Sequence, residues 1–391
     1  MGFLEANINL DGTKFNHAIL LAAQKYLVEA IQFHDPEWLD KPEGPLSWYW
    51  NREDIESVCF LINFADTLGR LRKNITEKSI TTYIKKFKEL LQTKKENQFE
   101  ETLLELRFAR ALCELVSPIS FEPFVPQETK ALGQQPRSPD YAMRLPDGDI
   151  QIEVTTFHFG ALESWNLATK HLSKQLSHLL EKHKISRVIE IAFPLEFNSI
   201  SLLPRKFLED LADEICLSTS GSRQIMIRHK TGTLTWKPFL LLDDESQIFK
   251  EATDEEISTV SSFAYGFQKR LVKENHDELF LKSLRNTLNK KRSQRAKSLP
   301  YLLVLGLSHY SITVEGVMTA VRERIWPNPN YEWLTGLLIF TPASGFLESD
   351  PLPTLNYSFN PNARIPPTEA LNEMLKNDAR FHLRNGVFCS H

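Results

Sequence analysis

The chain has 391 residues, with 46 basic side chains against 50 acidic ones and a formal net charge of −4. That length suits more than one domain and a sizeable core, and the charge excludes nucleic-acid binding driven by bulk positive charge, so any such role needs a local basic patch. Hydrophobic residues at 42% and charged residues at 25% are the balance of a soluble globular protein. Cys59, Cys113, Cys216 and Cys389 are far apart and form no C-x-x-C pair, which argues against a zinc knuckle or a disulfide framework and for a reducing cytoplasm. No basic stretch followed by an apolar run opens the sequence, and no apolar run is long enough to span a bilayer. The expected location is therefore cytoplasmic, with no membrane partner.

Residues 16–32 carry apolar side chains at helical spacing, among them Ile19, Leu20, Ala23, Leu27 and Ile31. Residues 35–50, rich in proline and tryptophan, read as loop, and residues 54–71 and 79–91 as two further amphipathic helices. Lys85, Lys86, Lys88, Lys94 and Lys95 give the end of this region a basic cast. A solvated helix face ahead of a linker is the preferred reading of these lysines, and a DNA- or partner-contacting module the other. A boundary at 93–97 sets off residues 1–95 as a helical N-terminal region.

Residues 99–116 form the next predicted helix. Leu104, Phe108, Leu112 and Leu115 share one broad arc, with Glu100, Arg107, Arg110 and Glu114 on the opposite, solvated side. Glu101 and Glu105 project inside the apolar arc, one turn apart. A carboxylate there is costly to bury unless it is paired or binds metal. Glu105 is the first choice for a site acid and Glu101 the second; the alternative is an ion pair with Arg137 or Arg144. Pro118 ends the helix. Residues 119–125 read as an edge or bulged strand around Pro123, and 127–137 as a polar loop.

Residues 138–145 and 150–157 are alternating apolar and polar runs around Pro146-Asp147-Gly148-Asp149, the signal of a β-hairpin. A four-residue loop pairs Leu145 with Ile150, Met143 with Ile152 and Tyr141 with Val154 on one apolar face. The other face carries Asp140, Ala142, Arg144, Gln151, Glu153 and Thr155. Asp140 then lies opposite Thr155 and diagonal to Glu153, at about 7–8 Å between backbones. Two acids so spaced can share one divalent cation, because hard metals take carboxylate oxygens. A shared cation requires Glu105, Asp140 and Glu153 to converge within a few ångströms.

After the hairpin, residues 161–184 read as a helix with Lys170 and Lys174 on its far face, and His158 before it as a hydrogen-bonding loop histidine. A strand (187–197), a helix (203–217), a hairpin (223–228 with 231–242) and an acidic loop (243–256) follow. Residues 277–297 form a basic helix holding Lys282, Arg285, Lys290, Lys291, Arg292, Arg295 and Lys297, which runs into a buried-strand signal at 299–307. The tail holds a short helix (315–324), a strand (334–341), an Asn-Pro-Asn-Ala-Arg loop at 360–364 and a last helix (369–375). Arg364 reads as a structural loop arginine, with a phosphate contact as the other reading. No phosphate loop, dinucleotide fingerprint, H-E-x-x-H, G-x-S-x-G or kinase signature is present.

Pro139-Asp140 at a strand start, a hairpin, and Glu153 in the middle of the next strand resemble the PD-(D/E)xK nuclease superfamily. The resemblance covers roughly residues 101–157, with a looser echo to about residue 307, and Thr155 stands where the motif has its lysine. It implies an α+β fold: the helical N-terminal region, then a restriction-endonuclease-like αβββαβ core over 96–391 with an insertion at about 162–277. It implies Mg²⁺ (or Mn²⁺) held by Asp140, Glu153 and the Val154 carbonyl, with Glu105 a further ligand or base. Lys291 is the residue best placed to supply the lost positive charge, and its helix would hold a nucleic-acid backbone. The expected function is metal-dependent hydrolysis of phosphodiester bonds in DNA, with a homodimer as a candidate assembly. The alternative is a catalytically degenerate nuclease fold that binds nucleic acid or a protein partner.

Overall fold

The computed structural model describes residues 2–11, 13, 15–115, 119–122, 139–181, 187–241, 249–251, 265–272, 276–292, 298–307, 313–341 and 354–376. Contacts divide the chain into two units, residues 1–157 with 285–391, and residues 158–284. The helices before residue 95 fall in the same unit as the hairpin. The chain leaves that unit at 158 and returns at 285, against the 162 and 277 read from the sequence.

The first unit opens with helix α1 (His17–His34), started by the Asn16 side chain accepting the Ile19 N–H. Residues 35–50 are not the expected loop: they hold two short helices, α2 (Pro36–Asp40) and α3 (Pro45–Trp50). Proline opens each of them, and its fixed φ and missing N–H suit a first helical turn. α4 (Ile55–Asn74), capped by Asp54, α5 (Ile80–Gln92) and α6 (Glu96–Leu115) follow. Leu20, Leu27, Phe64, Phe87 and Phe108 share one core with Ile152, Val154, Val304 and Phe340 of the sheet. The helices and the sheet are thus one hydrophobic body.

Arg110 of α6 departs from expectation: it is buried, not solvated, because α4 covers that flank. Asp66 of α4 meets it there, taking Arg110 Nε at 2.8 Å and Arg70 Nε at 2.7 Å.

The sheet of this unit has the order β1-β2-β3-β10-β11-β12, with β4 to β9 in the second unit. β1 (Ser120–Phe121), β2 (Tyr141–Leu145) and β3 (Gly148–Phe157) run antiparallel in turn. β10 (Tyr301–Leu307) is parallel to both β3 and β11 (Gly336–Thr341), as its continuous apolar run requires of a strand covered on both faces. β12 (Thr354–Phe359) closes the edge antiparallel to β11 and was not expected from the sequence. The strand read at 119–125 is two residues long among the described residues; 123–138 lie outside them.

The hairpin turns more tightly than expected. Leu145 faces Gly148, Met143 faces Ile150 and Tyr141 faces Ile152, so Pro146-Asp147 alone makes the turn. Gly148 has a φ of +143°, which side chains other than glycine's rarely allow. An offset of two keeps every side chain on its expected face. Continued past Tyr141, this register sets Asp140 level with Glu153 rather than with Thr155.

The second unit is built on a sheet of order β5-β6-β4-β9, where β4 (Arg187–Pro194) runs parallel to β9 (Tyr265–Val272), and β5 (Gly221–Ile227) with β6 (Lys230–Lys237) forms a hairpin. A separate short pair, β7 (Phe239–Leu241) with β8 (Phe249–Glu251), accompanies it. α7 (Gly160–Glu181) and α8 (Arg205–Leu217) belong to this unit. α9 (His276–Lys291) begins in it and ends in the first unit. Arg295 and Lys297 of the expected basic helix lie outside the described residues. In the tail, α10 (Val314–Ala320) precedes β11, and α11 (Glu369–Lys376) follows β12.

Candidate functional site

Pairing of β2 with β3 stops at Tyr141 and Ile152, one residue before Glu153. The sequence supplies the reason. In the next position of the ladder Val154 would face Pro139, and proline has no N–H to give. Asp140 takes over, its Oδ2 accepting the Val154 N–H at 2.8 Å. A strand residue directs its N–H and C=O to the same side, so the Val154 carbonyl faces the same gap. Past this point, among the described residues, β3 is paired with β10 alone, through Phe157 opposite Leu307.

Charged side chains fill this break. Glu153 is 1% exposed, and Lys291 Nζ stands 2.6 Å from its Oε1. Lys291 ends α9, and the Tyr301 hydroxyl of β10 donates to its backbone carbonyl at 3.3 Å. The second oxygen, Glu153 Oε2, is buried and has no hydrogen-bond partner among the described residues. From the helical side comes Lys86 of α5, buried, with Nζ 2.5 Å from Glu105 Oε2 of α6 and 3.6 Å from Glu122 Oε1. Glu122 follows β1 with a φ of +40°, its N–H donating to the Asp140 carbonyl at 2.8 Å.

The acids sense one another. Burial, with the Asp140 charge added, pushes Glu105 up to about 8 against the pull of Lys86. Burial and Asp140 push Glu153 up to about 7 against the pull of Lys291. Asp140 is raised by burial too, opposed by Lys86 and by the Val154 N–H. Burial works against the ammonium of Lys86, yet Glu105 and Asp140 outweigh it and hold the group above the ordinary lysine range. Burial also works against Lys291, and Glu153 outweighs it.

Of the residues picked from the sequence, Glu105, Asp140, Glu153 and Lys291 are electrostatically linked here, but among the described residues the three acids do not gather closely enough to share a metal ion. Glu101 is half-buried one turn before Glu105. Neither proposed arginine partner meets Glu105: Arg144 pairs with Asp149 at 2.8 Å on the exposed side, because the two face each other across the tight turn, and Arg137 lies outside the described residues. Lys86, read as part of a solvated face, is the actual partner. Its position could have shown this. Lys86 follows Tyr83 by three residues and precedes Leu90 by four, and both are buried, so Lys86 sits on the apolar stripe of α5. Glu122 was also missed. His158 hydrogen-bonds Glu163 at 3.1 Å, the loop role expected of it. Arg364 donates its backbone N–H to the Glu332 carbonyl at 2.7 Å.

Four acids, Glu105, Glu122, Asp140 and Glu153, face two ammonium groups here, and the raised proton affinity of Glu105, Glu153 and Asp140 means that bound protons make up part of the balance. A buried carboxylate oxygen without a hydrogen-bond partner among the described residues and a carbonyl facing a strand gap are oxygen donors of the kind a hard cation takes. As arranged, Lys86 and Lys291 hold Glu105 and Glu153 in ion pairs. Among the described residues no group of three or more His, Cys, Asp or Glu side chains is gathered to hold a metal ion. None of the helices described is long and apolar enough to cross a membrane. Comparison with protein-family models, with curated proteins and with solved structures finds no match for this chain.

Proposed function

We propose that the first unit hydrolyses phosphodiester bonds in DNA with the help of Mg²⁺ or Mn²⁺, as the resemblance to PD-(D/E)xK nucleases implies. The observation that carries this reading is Lys291 Nζ at 2.6 Å from Glu153 Oε1, across 138 positions of sequence. Thr155 leaves the strand motif without a cation, and Lys291 brings one to the same carboxylate from a helix. The element order also supports it: α6, three antiparallel strands, α9 and the parallel β10 follow the αβββαβ order, with the second unit entering after β3 and ending within α9.

Asp140, Glu153 and the Val154 carbonyl would hold the ion, with Glu105 beside them. When bound, the ion lowers the pKa of a water and neutralises charge building on the phosphate. Lys291 would hold a non-bridging phosphate oxygen, where a compact ammonium is an effective point charge. Glu105, with its affinity for protons raised, suits the acceptance of a proton from the attacking water. Lys290 and Arg292 flank Lys291 and would contact the nucleic-acid backbone.

Cleavage of plasmid, linear duplex, single-stranded DNA and RNA in Mg²⁺ or Mn²⁺ tests this reading, with Asp140→Ala and Glu153→Ala alongside. Metal-dependent cutting abolished by both substitutions is the expected result. A wild-type chain that cuts none of the four ends the proposal.

A second reading has its own observation. Both lysines are already engaged by carboxylates, and Thr155 carries no charge, so the strand motif offers no cation of its own to a scissile phosphate. A non-catalytic module that binds DNA without cutting it would carry such a cluster; salt-sensitive binding without cleavage identifies it.

A further inference from the structure

We infer that Arg285, Asn289, Arg292 and Tyr331 form a phosphate-binding site of the first unit, on a different side of α9 from Lys291, and that it takes a non-scissile phosphate of the nucleic-acid strand. The inference rests on the proposed function for the class of ligand, not for cleavage.

Residues four and seven positions apart share a helix face, so Arg285, Asn289 and Arg292 make one stripe along α9 and just past its end. Lys291, six positions after Arg285, is turned about a third of a circle away and serves Glu153 instead. Tyr331 is 3% exposed and senses the stripe: burial raises its pKa, and Arg285, the Asn289 side chain and Arg292 each pull it back down. The turn that carries Tyr331 is held in place. Asn360 Nδ2 donates to the Tyr331 carbonyl at 3.0 Å and to the Leu334 carbonyl at 3.1 Å, and the Arg364 N–H donates to the Glu332 carbonyl. Two observations point to an anion. Arg285 Nε is buried and has no hydrogen-bond partner among the described residues, a costly state that a phosphate oxygen would relieve. Neither Arg285 nor Arg292 makes an ion pair among the described residues, although Glu278 lies two turns before Arg285 and Glu332 follows Tyr331. Arg70, Arg110 and Arg144 of the same unit each meet a carboxylate at 2.7 or 2.8 Å. Two guanidinium forks, with a hydroxyl and an amide able to donate, match the oxygens of a phosphate. Arg285 and Lys291 are about 9 Å apart along the helix axis, so a strand lying along α9 would place one phosphate at each.

The test is fluorescence anisotropy of a labelled DNA duplex with the full chain, in EDTA and over a series of salt concentrations, for wild type, Arg285→Gln and Lys25→Gln. Lys25→Gln removes one exposed charge from α1 and controls for net charge. Arg285→Gln should weaken binding about tenfold and lower the salt slope by about one, while Lys25→Gln matches wild type. No binding by the wild type, or Arg285→Gln binding as well as Lys25→Gln, overturns the inference. If Arg285→Gln does not fold, the wild-type chain decides: phenylglyoxal modification of arginines read by mass spectrometry, with and without the duplex. Modification of Arg285 should fall several-fold with the duplex while that of Arg52 stays constant; unchanged modification of Arg285 overturns it. Arg285-dependent binding by a chain that cuts no nucleic acid ends the nuclease reading alone, and cleavage by the wild type with full duplex binding by Arg285→Gln ends this inference alone.

Discussion

Asp140 Oδ2 accepts the Val154 N–H at 2.8 Å, so one carboxylate both ends a strand ladder and joins the charge cluster. The two roles can be separated. Asp140→Asn keeps an acceptor for the N–H and removes the charge; Asp140→Ala also leaves a buried donor unmet, at a cost of about 1–3 kcal/mol. Urea unfolding should therefore rank Asp140→Ala below Asp140→Asn, while both lose cleavage. Equal stability of the two would mean that Val154 finds another acceptor.

Lys291 should be replaceable from the strand. Lys291→Met removes the cation beside Glu153 and should lower cleavage about 100-fold, on the scale of losing one preorganised charge contact. Thr155 faces the same side of β3 as Glu153, so Thr155→Lys in the Lys291→Met background should recover part of that loss. In the wild-type background the same Thr155→Lys change crowds two ammonium groups and should slow the reaction. Initial rates of plasmid nicking for the four proteins decide it, and failure of the double variant to exceed Lys291→Met would refute the exchange.

The Asp66–Arg110 pair predicts a purely structural defect. Asp66→Ala leaves Arg110 buried beside an absent anion, which costs about 3–5 kcal/mol. Differential scanning calorimetry should show a clear fall in melting temperature of the first unit. Cleavage measured well below the transition should stay near wild type, because Asp66 is engaged by Arg110 and Arg70 rather than by the lysines of the acid cluster.

Stability should fall as pH rises when no divalent cation is present. Glu105 titrates near 4.5 when unfolded and near 8 when folded, so its neutral form stabilises the fold fully below 4.5, and that contribution is lost as pH climbs towards 8. Glu153 adds a loss of the same sign as pH approaches about 7. Carboxylates held low, such as Glu43 and Asp54, act in the opposite sense but only below the ordinary carboxylate range. Melting temperatures in EDTA should thus decline from pH 5 to pH 8, and Mn²⁺ should flatten the decline by replacing protons in the cluster. A flat or rising profile in EDTA would contradict the burial of these acids.

Much of the site was written locally. Asp140, Glu153 and Val154 follow from alternation along two strands, and Glu105 from an acid inside an apolar helix arc. Even a wrong turn length left their faces correct, because an offset of two preserves side-chain direction. What alternation does not encode is the neighbour across the gap: the expected loop of four residues hid the alignment of Asp140 with Glu153. Lys86 was hidden for another reason. In a run of lysines on an amphipathic helix, one that turns inward differs from the rest by its position on the apolar stripe, and only a partner elsewhere in the chain makes that burial tolerable. β12 escaped although Leu355, Tyr357 and Phe359 alternate with polar residues, because a six-residue strand lying between Pro353 and Pro361 is short and reads as part of a proline-punctuated loop.

The cluster has a consequence for biosynthesis. β3 lies between β2 and β10, and 143 residues separate the last residue of β3 from the first of β10, if Phe157 and Tyr301 are taken as the ends. A nascent chain holds Glu105, Asp140 and Glu153 long before Lys291 and the β10 strand leave the ribosome. Until then the outer edge of β3 has no partner and the acids lack half of their counter-charge, a combination that favours slow, late closure of the sheet. Acquisition of the assembled acid–lysine cluster is therefore timed to completion of the second unit, and any chemistry performed there is withheld from every shorter, unfinished chain.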